Sequence, residues 1–215
     1  MYVPKQFEEA RIDVMHELIR ARPLATLVTL SSNGLNANHI PFHLLESPAP
    51  FGTLQGHVAR ANPILSDLEK NIEVLAVFHG PDTYITPSWY ATKKETGKVV
   101  PTWNYVVVHA YGYMRLVDDA SWLRAQLEAL TAHNEASFLK PWAVTDAPQE
   151  FTEKLIGNIV GIEMVITKLS GNWKVSQNQP QQNHAGVIEG LKASGLQDSL
   201  AMAVLVEKAT TKNGM

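Results

Sequence analysis

The chain has 215 residues, 45% hydrophobic and 18% charged, with 18 Lys and Arg against 21 Asp and Glu. That length supports one substantial core or two small ones, and the composition excludes a disordered tail. Zero Cys excludes disulfides, Cys-ligated zinc, iron–sulfur clusters and thiol catalysis, while the formal charge of −3 argues against a large electrostatic footprint on nucleic acid.

The first residues, Met1 to Glu9, turn polar early and lack the apolar centre of a signal peptide. No window approaches the roughly 18 consecutive apolar residues of a membrane span. The expectation is a cytoplasmic protein without membrane contact. Phe7 to Arg20 carries Ile12, Met15 and Ile19 at helical spacing and predicts an amphipathic lead-in helix. Leu24 to Leu30 reads as a strand, Ser32-Asn33-Gly34 as a tight turn, and Leu35 to Leu45 as the returning strand of a hairpin. Gly52 to Val58 is a third strand. Asn62-Pro63 opens a short helix through about Lys70, with Pro63 suited to its first turn. The nearly continuous apolar run Ile72 to Phe78 predicts a strand buried on both faces. Thr83 to Thr86 and Val100 to Val117 are further strands, separated by a polar loop over Ala91 to Lys98.

Helices then take over. Asp118 or Asp119 caps a helix with a buried stripe of Leu123, Leu127 and Leu130. Pro148 to Ile159 is a second helix and Gly161 to Leu169 a late strand. The tail from Gln181 to Ala209 is helical with a break at Gly195. Short strands with turn signals and few helices predict an α+β, mainly β chain: a small antiparallel barrel with helical insertions and a helical C-terminal extension, forming one domain over residues 1–215.

The aromatic residues are unevenly placed. Two of the five Trp and five of the six Tyr fall between Tyr84 and Tyr113, interleaved with Thr, Ser, Asn and His. A buried Tyr or Trp must find a partner for its O–H or N–H, so a plain core strand has no need of so many. Two such stretches, Tyr84-Ile-Thr-Pro-Ser-Trp-Tyr90 and Pro101-Thr-Trp-Asn-Tyr105, suit the wall of a pocket for a flat, polar-edged molecule. The plainer alternative is an aromatic sheet face packed on a helix.

Several standard chemistries are absent: no G-x-S-x-G elbow, no G-x-x-x-x-G-K-[ST] loop and no G-x-G-x-x-G occurs. His39 and His43 lie four apart, but in a strand-like segment with Pro41 and without a nearby carboxylate, so no metal site is expected. Paired carboxylates for acid–base work are missing from the aromatic segments. An anion site remains. His57, Arg60 and Asn62 sit where a strand meets a helix start, where free N–H groups and a guanidinium fork suit a phosphate. A phosphate seat beside aromatic and hydroxyl residues fits flavin mononucleotide, FMN, with a planar ring at one end and a phosphate at the other. Lys174, Ser176, Gln177 and Asn178 form a polar cluster after a strand, either a turn capping the next helix or a second pocket wall.

Met1-Tyr-Val-Pro-Lys-Gln-Phe7, His57-Val-Ala-Arg-Ala-Asn-Pro63, Tyr84 to Tyr90, Val100-Pro-Thr-Trp-Asn-Tyr105 and Lys174-Val-Ser-Gln-Asn-Gln-Pro180 together resemble the PaiB family of FMN-binding negative transcriptional regulators. The resemblance runs from residue 1 to about residue 191. It implies an FMN-binding split β-barrel, usually a homodimer with the flavin at the subunit interface. On this sequence it assigns His57, Arg60 and Asn62 to phosphate, and Tyr84, Ser88, Trp89, Thr102, Trp103 and Asn104 to the ring or ribityl chain. Lys174, Ser176 and Gln177 would supply the second wall. The family tends to carry Asp-Arg where this chain has Asn183-His184. The implied function is dimeric transcriptional regulation, with DNA as a partner that the acidic balance disfavours. A flavin-dependent oxidoreductase and a haem-binding or haem-degrading barrel are the alternatives.

Overall fold

A computed structural model describes residues 1–32, 34–67 and 72–212, with the side chains of Asp67 and Lys212 left out. Asn33 of the expected turn and the helix end near Lys70 lie outside the described residues.

In chain order the strands and helices are β1 (Glu8–Glu9), α1 (Ile12–Ala21), β2 (Leu24–Ser31), β3 (Gly34–Pro41), β4 (His43–Leu45), β5 (Thr53–Ala59), α2 (Ile64–Asp67), β6 (Val74–Ile85), α3 (Thr92–Thr96), β7 (Thr102–Val117), α4 (Ala120–Glu135), α5 (Gln149–Ile156), β8 (Ile159–Lys174), α6 (Gln181–Ser194) and α7 (Gln197–Lys212). The sheet has the order β3-β2-β6-β7-β8-β5-β4, with β1 pairing β8, and the β1–β8, β2–β3, β2–β6, β4–β5 and β5–β8 pairs are antiparallel. Among the described residues, no helix is long and apolar enough to cross a membrane.

Most expected elements are present, and the departures have physical causes. The lead-in helix starts at Ile12, because Glu8 and Glu9 pair with Asn172 and Gly171 instead. The returning hairpin strand breaks at Phe42, which follows Pro41 and is buried. The Ile72–Phe78 and Thr83–Thr86 strands are one 12-residue strand, β6, running through Gly80 and Pro81. Its first half alternates buried and half-buried positions, so the expectation of burial on both faces is corrected. In α4 the buried stripe is Leu123, Gln126 and Leu130, with Gln126 taking the place expected of Leu127.

The chain divides into two compact units, each assembled from separate stretches. The first comprises Met1–Arg11, His79–Val108 and Ser170–Met215. Its buried apolar groups include Ile85, Val106, Val187, Leu191, Met202 and Val206. Gly195 takes φ 68, a left-handed conformation that ends α6 without a Cβ penalty.

The second unit comprises Ile12–Phe78 and His109–Leu169. Its core includes Ile19, Leu27, Phe42, Leu54, Phe78, Leu123, Ile162 and Met164. Phe42 and Phe78 meet edge to face with centroids 6.5 Å apart. Asp119 caps α4 by accepting from the Trp122 N–H at 2.7 Å.

Candidate functional site

The first unit gathers most of the polar and aromatic residues that the sequence singles out. Tyr84 at the end of β6 and Trp103 at the start of β7 are both about half exposed and meet edge to face at 6.1 Å. A short 3-10 turn follows β6 because Pro87 fixes its first residue and the Thr86 hydroxyl accepts from the Ser88 N–H. It brings Trp89 against α6, where only glycine fits. A Cβ on Gly186 would lie 2.1 Å from the Trp89 carbonyl oxygen, and one on Gly190 would lie 2.2 Å from its ring. Ser88 is exposed and its Oγ accepts from Lys93 Nζ at 3.1 Å.

At the β7–β8 end, half-buried Lys174 donates to Thr102 Oγ1 at 2.6 Å, and no carboxylate pairs with it among the described residues. Asn104 is fully buried and donates Nδ2 to Ser176 Oγ at 2.8 Å. Gln177 is occupied by its own turn: its Oε1 accepts from the Val175 N–H, and its Nε2 donates to the Trp173 carbonyl. That turn holds Ser176 at φ 64, the one non-glycine residue at positive φ among those described.

The anion triad lies in the second unit. Arg60 there is engaged four ways. Nη1 and Nη2 donate to Asp118 at 3.0 and 2.6 Å, Nε to the Gly157 carbonyl at 3.0 Å and Nη2 to the Ile159 carbonyl at 3.1 Å. The Arg60 hydrogen bond in turn holds the Asp118 carboxyl below its ordinary range. His57 Nδ1 is 2.9 Å from Gln126 Oε1. Asn62 accepts from the Ile64 N–H at 3.0 Å, capping α2, and donates to Asn38 Oδ1 at 3.0 Å. Each residue of the triad thus has an internal partner, a fact that no spacing in the sequence could reveal.

Among the described residues, the fold also buries polar atoms without partners, one of them on Asn104, which the sequence singles out. Tyr90 Oη, Asn104 Oδ1, Asn172 Oδ1 and His184 Nδ1 are buried without partners, all in the first unit; in the second, Gln126 Nε2 is in the same state. Burial also pushes the Tyr90 phenol above its ordinary range. Asn172 and His184 carry no sequence signal of burial, since Ser170 and Lys174 flank the one and Gln181 to Asn183 precede the other. Buried polar groups left unpaired are rare and point to water or a ligand.

Residues 1–168 match the family described as "Putative FMN-binding domain". The chain belongs to this family. Lys174, Ser176 and His184 lie beyond the matched residues, but similarity to individual relatives continues through them. An uncharacterised protein of Emericella nidulans is 36% identical, over 97% of this chain and 97% of its own. The Bacillus subtilis "protease synthase and sporulation protein PAI 2" is 29% identical over 99% of each. The solved structure of an FAD and haem binding protein from Mycobacterium smegmatis shares the fold, with a TM-score of 0.56 at 14% identity, over 78% of this chain and 73% of that one. The architecture is the split antiparallel β-barrel with helical additions.

The cofactor that goes with the family is FMN, and the first unit has the chemistry for it. Half-buried Lys174 has a hydroxyl but no carboxylate for company, which suits a phosphate. Tyr84 and Trp103 offer exposed ring surface to an aromatic plane. The unpartnered buried atoms are mostly acceptors, and flavin carries N–H and O–H donors.

Proposed function

We propose that this chain is an FMN-binding regulatory protein that works as a homodimer, holding the flavin on its first unit through Lys174, Thr102, Trp103, Tyr84 and Asn104. The observation that carries this reading is Lys174. An ammonium drawn partly out of water is stabilised by a compensating anion, and here its partner is the neutral hydroxyl of Thr102. A phosphate supplies the charge, and the adjoining aromatic and amide groups suit the rest of the cofactor. The regulatory half is supported by the Bacillus subtilis relative, named for protease synthesis and sporulation. With a net charge of −3, any DNA contact depends on local basic groups and on salt.

The test is a titration of FMN and riboflavin, by flavin fluorescence quenching, against the wild type and Lys174→Gln. The variant should weaken FMN about tenfold or more, the scale of one lost charge-assisted contact, and leave riboflavin within about threefold. Equal effects on the two ligands would place the phosphate elsewhere.

A further inference from the structure

His184 lies on α6 and is 7% exposed, with Nε2 3.0 Å from the carbonyl oxygen of Ser176. A carbonyl can only accept, so Nε2 carries a proton, and in the tautomer with one ring proton Nδ1 is a bare acceptor. That Nδ1 is buried and has no partner. Asn104, on β7, attaches to the same Ser176 from another side, through Nδ2 to Oγ at 2.8 Å. Its Oδ1 is likewise buried and unpartnered. Two unfilled acceptors therefore hang on one residue.

That residue is itself held in an unusual state. Ser176 sits at φ 64, a conformation that costs a non-glycine residue energy and persists only when its surroundings enforce it. The enforcement is visible: Gln177 closes the turn on both sides, and His184 and Asn104 fix the carbonyl and the hydroxyl. Leaving acceptors dry inside such a frame is unfavourable, and an N–H donor reaching His184 Nδ1 relieves that one.

We propose that His184 Nδ1, positioned by Ser176, accepts the imide N3–H of the flavin ring and so selects flavins that carry a hydrogen there. N3–H is the sole N–H of the oxidised ring and lies between two carbonyl acceptors, so a single acceptor matches it. This inference rests on the FMN reading and adds to it the contact that identifies the ring.

The experiment compares FMN with N3-methyl-FMN, which keeps the phosphate and the ring plane but has no imide hydrogen. Both are titrated against the full-length wild type, His184→Gln and His184→Leu by fluorescence quenching. The wild type should bind FMN about 10- to 100-fold more tightly than the methylated ligand, the scale of one unsatisfied buried hydrogen bond. His184→Leu should bring that ratio close to one. His184→Gln should keep most of it, because its amide can donate to the Ser176 carbonyl and still present an oxygen. Nitrogen NMR of isotope-labelled FMN on the wild type reads the same contact without a variant. A slowly exchanging N3–H coupled to the His184 ring is expected, and free solvent exchange would overturn the proposal. Equal binding of the two ligands by the wild type would also overturn it, leaving ordered water as the occupant and the FMN reading intact. If the wild type binds neither ligand, the FMN reading falls and takes this inference with it.

Discussion

Arg60 and Asp118 form a two-pronged ion pair, each carboxylate oxygen accepting from a different guanidinium nitrogen at 3.0 and 2.6 Å. Two backbone carbonyls, of Gly157 and Ile159, take further donors from the same fork. A phosphate would have to displace Asp118, an anion already seated in the geometry that suits it. The guanidinium thus joins the end of β5 to the segments before α4 and around the start of β8.

Arg60→Ala should therefore lower the melting temperature and leave the affinity ratio of FMN to riboflavin within about threefold of wild type, well inside one decade of binding energy. Parallel melting curves and titrations check both halves. A selective loss of FMN affinity would return the phosphate to Arg60.

Trp89 against Gly190 gives a stability prediction. A Cβ at position 190 would lie 2.2 Å from the indole, so Gly190→Ala must push the ring or α6 aside. The cost should be about 1–3 kcal/mol, the usual range for overpacking, and larger than the helix-propensity gain of alanine. Gly195→Ala is the control, since its Cβ meets nothing within 4 Å and only the φ of 68 is strained. Denaturant unfolding of both variants decides it, and a Gly190→Ala protein as stable as wild type would contradict the packing.

Most elements were legible in the sequence because each has a local cause. Asp119 announces the start of α4, Gly195 the break between α6 and α7, and alternating residues mark β2 and β7. Long-range pairings were not legible. Nothing near Arg60 in sequence indicates Asp118, and nothing near Glu8 indicates Asn172. Gln126 replaces an expected leucine in the buried stripe because its amide meets His57, a partner on β5. For the candidate site, the aromatic and hydroxyl residues of the first unit stood out by composition. His184 and Asn172 did not, since each sits among polar neighbours and looks like a surface position until the fold buries it.

His43 on β4 makes stability depend on pH. Burial, and then the positive charges of His133 and Arg20, push its imidazole below the ordinary histidine range. The folded state therefore resists protonation more than the unfolded chain. Its contribution is complete above the unfolded value, near pH 6.5, and is lost as the pH falls through that value toward the lower folded one. His43→Gln should flatten the fall in unfolding free energy between about pH 7 and pH 5, where an ordinary histidine titrates. Urea denaturation across that range measures the slope, and identical slopes would remove His43 as the cause.

The most direct test of the account is the absorption spectrum of the wild-type protein mixed with FMN and freed of unbound ligand by gel filtration. The account requires the two visible flavin bands to travel with the protein at a dimer's elution volume, with one flavin per chain, and to be lost from Lys174→Gln under the same conditions. Protein emerging without flavin bands, or with a Soret band after purification, would contradict it.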